Sequence, residues 1–314
     1  MARHATGTTF SWKDQLRYGR LPSLSRLEAL IGAFPCVRRG PSAQCLLNIP
    51  RDKTPDLLES TKTWLIMLGR FGRLLFSLAI IGIGVETLIC SYVSGHSLVP
   101  HYKVVPVIPW LPAVPNLAYS VAAILILCGV GLLFQRTLVV SAITVGALML
   151  LCGHAFDAPR HPNLMSAPWR TNVLEPIAIG SLAWLAPGLG GIPRWLHRTN
   201  RYVLAFALVV FGIAHFQILT PIANMVPGWI PWHRFWTVFF GVAFISAGVS
   251  FATGFLLRWA ALGVGLMFAL WTITIHVPSL LTAQDPDKWS DVFIVIALWG
   301  GFWGLVRDLR DRKI

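Results

Sequence analysis

Apolar stretches long enough to cross a membrane recur through the sequence from residue 70 onward. A helix needs roughly 20 mostly apolar residues to span the hydrocarbon core of a bilayer, and eight stretches approach that length. They cover residues 70–92, 116–134, 137–156, 172–186, 202–219, 235–257, 259–277 and 291–306. Charged residues make up only 12% of the chain, about half the share found in soluble domains. The sequence therefore predicts an all-α, polytopic membrane protein with eight transmembrane helices and the lipid bilayer as its surroundings.

The distribution of positive charge predicts which ends face the cytoplasm. The net charge is +13, but Lys and Arg lie in the segment 1–73, in short loops and near the C-terminus. They do not form a basic face with interleaved aromatic residues, so nucleic acid is not a predicted partner. With a cytoplasmic N-terminus, the inner segments carry 21 Lys and Arg and the outer loops carry five. The positive-inside rule then predicts that both termini lie in the cytoplasm, in the inner membrane of a bacterium.

The N-terminal segment 1–63 differs in composition from the rest of the chain. It is basic, rich in Pro, Gly, Ser and Arg, and shows no sustained hydrophobic periodicity. It is predicted to form a disordered cytoplasmic segment, with a translation start at Met67 as an alternative hypothesis. The membrane part then divides into residues 64–190 and 191–314.

Matching residues in these two parts indicate an internal repeat. One offset in residue number, 122, relates three pairs of anchors, namely Ile108-Pro109-Trp110 with Ile230-Pro231-Trp232, Arg136 with Arg258, and His154 with His276. In the helix before each Ile-Pro-Trp loop, the offset between matching residues grows to 130. Each part contains four spans, which is an even number, so the repeats are expected to be parallel. The predicted architecture is two parallel four-helix bundles.

The second repeat carries a family resemblance. The stretch FGIAHFQILTPIANMVPGWIPWHRFWTVFFGVAFISAGVSF, Phe211 to Phe251, is followed by LLRWAALGVGLMFALWTITIHVP. Its His-Phe helix end, Trp-Ile-Pro loop and Gly-rich second helix resemble DoxX-like four-helix membrane proteins. The first repeat departs from this pattern, with Val85-Glu86 in place of His-Phe and Val107 in place of the first loop Trp. The family takes its name from a subunit of a thiosulfate:quinone oxidoreductase, so the resemblance implies a quinone as cofactor.

Ionisable residues within the spans are the candidate functional residues, because each is costly to place in lipid. They are Glu86, His154, Glu175, His215 and His276. The predicted orientation puts all five near the outer surface, with Glu86, His154 and Glu175 in one polar cluster and the other two in a second. Proton relay or binding of a polar head group would suit such clusters. The alternative is structural, since a histidine or carboxylate at a helix end often only bonds a neighbouring helix or reaches water.

Tryptophan and proline are concentrated in the outer loops. The candidate residues are Pro109, Trp110, Trp229, Pro231 and Trp232. An aromatic belt at the membrane interface is one interpretation. The other is a lid that places aromatic rings against a quinone or a lipid.

Metal and thiol chemistry receive little support from the sequence. No two histidines lie one helical turn apart within a span, so no metal site is predicted. No Cys-x-x-Cys motif occurs among the five cysteines. Cys90 and Cys152 fall near the outer ends of their helices, where either a disulfide or simple packing is possible.

Three functions remain open from the sequence, and whether the chain is an enzyme is left undecided. The first is an accessory, quinone-linked membrane subunit, as the resemblance implies. The second is a carrier of small molecules or lipids that uses the cleft between the repeats. The third is a structural or chaperone-like partner of other membrane or periplasmic proteins. Nucleotide-binding and Ser-His-Asp motifs are absent from the sequence, which argues against ATP-driven transport by this chain alone.

Overall fold

A computed structural model describes residues 54–93, 117–151, 167–185, 193–282, 287–306 and 309, and all regular structure in this part of the chain is helical. The helices are α1 Thr54–Val93, α2 Leu117–Gly131, α3 Leu138–Leu151, α4 Ala167–Leu185, α5 Arg194–Gln217, α6 Leu219–Met225, α7 His233–Thr253, α8 Leu257–Trp271, α9 Val277–Thr282 and α10 Asp287–Val306. A π-helical turn, Thr272–His276, joins α8 to α9 without a break. The prediction of an all-α protein is confirmed.

Five of the helical segments are long and apolar enough to cross a membrane. They are Thr63–Ile89, Arg194–Gln217, His233–Thr253, Leu257–Thr282 and Lys288–Val306. Three further apolar helical segments are shorter, namely Tyr119–Gly131, Leu138–Leu151 and Val173–Leu185. Large apolar side chains such as Leu127 and Val140 are exposed on the outside of the helices. Such a surface suits lipid better than water, and the membrane character that the composition predicted is confirmed.

Two helical elements were not anticipated. Helix α1 begins at Thr54, inside the segment that was expected to be disordered. Pro55 and Asp56 explain this start, because a proline in the first turn leaves no N–H without a partner and an acidic residue there favours the helix dipole. The short helix α6 follows α5 directly, after Ile218.

Most of the long helices pack against the long helix that precedes or follows them in the chain. Helix α3 contacts α2 and α4, α7 contacts α5 and α8, and α8 contacts α10. Additional contacts join the first four helices to the later ones, since α4 packs against both α5 and α10. The helices from Pro55 to Ile314 thus belong to one compact unit.

Glycines bring α1 and α10 into close contact. A Cβ atom built on Gly300 would lie 2.4 Å from the backbone nitrogen of Phe76 and 2.6 Å from the carbonyl oxygen of Gly72. A Cβ built on Gly82, further along α1, would meet the ring of Phe293 instead. The two helices are therefore antiparallel, and only glycine fits at the closest point. We call this contact the α1–α10 seam.

Several contacts recur at a fixed separation along the chain. Trp184 Nε1 donates a hydrogen bond to the carbonyl of Ile143 at 3.0 Å. Trp303 Nε1 donates in the same way to the carbonyl of Leu262 at 3.3 Å. Donor and acceptor are both shifted by the same offset in residue number, 119, between the two bonds.

The glycine contacts between the first two helices of each half recur in the same way. A Cβ on Gly129 of α2 would meet Ile81 of α1, and a Cβ on Gly248 of α7 would meet Val209 of α5. The offset in residue number is 119 for the glycines and 128 for their partners. The sequence had indicated 122 and 130 from short motifs in loops and at helix ends. The packing contacts therefore give offsets of 119 and 128 in place of 122 and 130.

Candidate functional site

His215 lies in the last turn of α5 and is buried, with 7% of its surface exposed. Its Nδ1 atom is 2.7 Å from the carbonyl oxygen of Phe211, one turn earlier. A carbonyl can only accept, so Nδ1 carries the proton and donates. Nε2 is buried and has no hydrogen-bond partner among the described residues. Since buried polar atoms are normally paired, this nitrogen is the most unusual polar atom among the predicted candidates.

Aromatic rings surround the His215 side chain. The ring of Trp271 stacks on the imidazole, with centroids 5.8 Å apart and planes inclined by 22°. The ring of Phe244 on α7 lies 5.3 Å away on a tilted plane. Trp271 is the last residue of α8 before the π-turn. Turns of this kind are frequent at functional sites in helical proteins, and this one follows the residue that stacks on His215. We call His215, Phe244 and Trp271 the imidazole pocket.

A row of aromatic rings continues from this pocket through the second half of the protein. Phe268 lies 5.7 Å from Trp271, Phe302 lies 6.1 Å from Phe268, and Phe251 lies 5.8 Å from Phe302. The buried residues 119 positions before Phe244, Phe251, Phe268 and Phe302 are Leu125, Leu132, Met149 and Ala183. Aromatic residues thus occupy the core of the second half where the first half has aliphatic ones.

Glu86 lies near the end of α1 and is 8% exposed. Ser290 Oγ donates a hydrogen bond to Glu86 Oε1 at 2.6 Å. This bond crosses from the first half to the second, whereas the sequence had grouped Glu86 with His154 and Glu175 of its own half. The cause is the α1–α10 seam, which brings the start of α10 to the end of α1.

Thr87 lies 128 residues before His215 and makes a contact of the same kind. Thr87 Oγ1 donates to the carbonyl of Ile83 at 2.7 Å, one turn earlier, as His215 does to Phe211. The two donors and the two acceptors are each related by the offset of 128 that the glycine partners show. The family resemblance instead places Val85-Glu86 where the second repeat has His215-Phe216.

The remaining ionisable candidates are distributed around these two sites. His276 is half-buried at the end of the π-turn, and α10 packs against that turn. Glu175 is half-buried in α4, directly before Pro176. His154 lies outside the described residues. Glu86, His215 and His276 therefore lie towards one end of the helices, on three different elements.

The second loop motif is exposed to the surroundings. Trp229 and Trp232 have 74% and 76% of their surface exposed, and Trp236 Nε1 donates to the carbonyl of Pro231 at 3.1 Å. Trp232 has φ 60°, in the left-handed region, which bulky residues rarely adopt. Exposed rings suit both the belt and the lid interpretations. Pro109 and Trp110 lie outside the described residues.

Among the described side chains, no group of three or more His, Cys, Asp or Glu is arranged to hold a metal ion. Cys128 is a free thiol. A bond between Cys90 and Cys152 falls outside the side chains that the structure describes.

Sequence reasoning missed Trp271, Phe244 and Ser290. Phe244 and Trp271 lie in stretches that are apolar nearly all round, so composition does not tell which face points inward, and Ser290 lies in the polar first turn of its helix, where a hydroxyl does not stand out. One signal was available for Trp271, which lies shortly before His276 near the end of the same span. Comparisons with protein families, with curated proteins and with solved structures found no match to this chain.

Proposed function

We propose that the chain crosses the membrane eight times, as two parallel four-helix units of the DoxX-like type. The contacts that recur at offsets of 119 and 128 support a duplicated unit. The three shorter apolar helices, α2, α3 and α4, match the longer α7, α8 and α10 in their neighbours, which supports counting them as spans. Arginines near the start of α5 and α8 support cytoplasmic termini in a bacterial inner membrane.

We further propose that the protein is an accessory membrane subunit that binds the head group of a quinone. The single observation that carries this proposal is the buried Nε2 of His215, which has no hydrogen-bond partner among the described residues. In its reduced form, the quinol, this head group offers the hydroxyl donor that the nitrogen lacks, together with a flat ring for Trp271 and an apolar tail for the surrounding helices. The row of aromatic rings lies in the second half, which supports placing the head group there rather than in the first half.

The chemistry of the imidazole follows from the bond between Nδ1 and Phe211. With the proton held on Nδ1, the neutral ring presents a lone pair at Nε2. That lone pair accepts a hydrogen bond from the hydroxyl of a quinol. A protonated imidazole would instead donate from Nε2 to the carbonyl of a quinone. The described rings around His215 are apolar and supply no counter-charge, so the neutral imidazole is favoured and the quinol is the form that this site suits better.

A carrier that uses the cleft between the repeats is less well supported. The close approach of α1 and α10 at Gly72 and Gly300 leaves no room for a substrate at that point of the boundary. Alternating access would have to separate these helices at each cycle.

The test of quinone binding exploits the correspondence between the two halves. His215→Thr introduces the residue found at the matching position, Thr87, whose hydroxyl bonds to the carbonyl one turn earlier. The substitution therefore keeps the local backbone contact while removing Nε2. Wild type and variant are purified in mild detergent from a quinone-producing host, and the quinone content per chain is measured by chromatography and mass spectrometry.

The expected result is a near-stoichiometric quinone in the wild type and a loss of about tenfold or more in His215→Thr, the loss expected when a buried hydrogen bond is removed. Thr87→Ser serves as the matched control, because it keeps a hydroxyl in the other half, and its quinone content should equal that of the wild type. Equal quinone content in wild type and His215→Thr would refute the assignment, as would a wild type purified without quinone from membranes that contain it.

A further inference from the structure

A cationic region lies at the opposite end of the second half, where α7 turns into α8. No Asp or Glu occurs anywhere in residues 193–282, while five arginines do. Arg201 is 7% exposed, and its guanidinium lies beside this turn, with Nη1 3.3 Å from a Cβ built on Gly254. Arg258 is the second residue of α8. Positive charge is thus concentrated at one turn without an acidic counterpart in that stretch.

Among the described residues, Arg201 finds too few partners for a buried cation. Nη2 donates one long hydrogen bond, 3.5 Å, to the carbonyl of Ala252. The guanidinium carbon also lies 5.2 Å from the ring centroid of Tyr202. Nε is buried without a hydrogen-bond partner among the described residues. Burying a charge is costly unless an opposite charge or several hydrogen bonds compensate it, so this site favours an anion.

The start of α8 adds partial positive charge at the same turn. Leu256 precedes the helix with φ 52° and provides no side-chain cap, and no acidic residue stands in the first turn. The first N–H groups of a helix carry partial positive charge and bind phosphate groups readily. Together with Arg201 and Arg258, they form a cationic site at the α7–α8 turn.

An apolar groove between α7 and α8 opens next to this turn. Its volume is about 390 Å³, and its lining extends from Leu256 and Trp259 to Phe239 and Leu270. Gly263 lies in this lining, and a Cβ built on it would meet nothing within 4 Å. From Ser250 to Phe239 the groove follows α7 for about 16 Å at 1.5 Å per residue. One leaflet of the hydrocarbon core is about 15 Å thick, half of the whole, so the groove has the depth of one acyl chain.

We propose that this turn and groove bind one anionic phospholipid, such as phosphatidylglycerol. The phosphate is held by Arg201, Arg258 and the start of α8, and an acyl chain occupies the α7–α8 groove. The occupant is a lipid rather than a free anion because the cationic site and the groove share Leu256 and Trp259 at their junction. The site lies at the opposite end of α5 from His215, so it is separate from the proposed quinone site.

The test measures lipid retention on the full-length chain. The protein is exchanged into nanodiscs of phosphatidylcholine with a minor share of phosphatidylglycerol, extracted into detergent, and analysed by native mass spectrometry. Arg258→Gln and Arg201→Gln should each lower bound phosphatidylglycerol about fivefold, the effect of removing one cation from an anionic lipid. Arg258→Gln is the primary variant, because Arg201 also bonds to α7. Gly263→Leu should lower retention by filling the groove.

Two matched controls accompany these variants. Arg234→Gln removes an exposed arginine at the other end of α7, and Gly228→Leu adds a side chain at another glycine with open space around it. Both should retain phosphatidylglycerol as the wild type does, and millimolar inorganic phosphate should not displace it. Equal retention of phosphatidylcholine and phosphatidylglycerol would overturn the proposal. So would displacement by phosphate alone, or unchanged retention in Arg258→Gln and Gly263→Leu.

Discussion

The α1–α10 seam makes a quantitative prediction about stability. Gly300→Ala adds one methyl group that would lie 2.4 Å from a backbone nitrogen and 2.6 Å from a carbonyl oxygen of α1. Neither backbone atom can rotate away, so the two helices must move apart along the seam. Overpacking of this kind costs about 1–3 kcal/mol, and backbone on the opposite side favours the upper value.

The alanine also has a favourable effect that must be subtracted. Alanine is better than glycine inside a helix by about 1 kcal/mol. The net expectation for Gly300→Ala is therefore a loss of about 2 kcal/mol in the free energy of unfolding. Gly304→Ala, one turn later on the same helix, is the matched control. Its Cβ would have its nearest contacts at 3.8 and 3.9 Å, so only the favourable effect remains, and the stability should rise by up to about 1 kcal/mol.

The measurement is equilibrium unfolding in mixed micelles of mild detergent and dodecyl sulfate, followed by far-ultraviolet circular dichroism. The two variants should differ from each other by about 3 kcal/mol, on opposite sides of the wild type. If Gly300→Ala is as stable as Gly304→Ala, the first and last helices do not touch as described. The contact between Glu86 and Ser290, which depends on the same seam, would then be wrong as well.

Three further predictions concern single contacts and orientation. Ser290→Ala removes the hydroxyl that donates a hydrogen bond to the buried carboxylate of Glu86. It should lower the free energy of unfolding by about 1.5–3 kcal/mol, as for other hydrogen bonds to charged groups. An unchanged free energy in the same mixed-micelle titration would show that the carboxylate does not depend on this hydroxyl. Trp184→Phe and Trp303→Phe each remove one indole hydrogen bond to a backbone carbonyl, so each should cost about 1 kcal/mol, and clearly unequal losses would argue against equivalent halves. In a cysteine-free background, an impermeant maleimide added to intact cells should label Trp229→Cys but not Arg258→Cys, and the reverse pattern would invert the proposed topology.

Hydropathy predicted the positions of the long apolar helices. The expected stretch at 202–219 corresponds to α5, and the stretch at 235–257 corresponds to α7, each within a few residues at one end and more at the other. These positions follow from the free energy of placing side chains in lipid, which depends on composition alone. The part of α1 that precedes residue 70 was not predicted, because its first residues are mostly polar and do not place apolar side chains at helical spacing.

The site was predictable only in part, for a geometric reason. Buried ionisable residues are rare and costly in a membrane helix, so Glu86 and His215 could be singled out from the sequence. Their partners could not, because rotation of a helix about its own axis is not encoded when nearly every face is apolar. Ser290 and Trp271 became visible only once the helices were placed side by side.

The pairing of α1 with α10 has a consequence for biosynthesis. A ribosome adds about 5–20 residues per second, so α1 enters the bilayer on the order of ten seconds or more before residues 287–306 have been made. During that interval the glycine face of α1 has no α10 to pack against, and the carboxylate of Glu86 lacks the hydroxyl of Ser290. Both contacts can form only once α10 has been inserted. A nascent chain stalled before α10 should therefore stay bound to the insertion machinery longer than one stalled just after it.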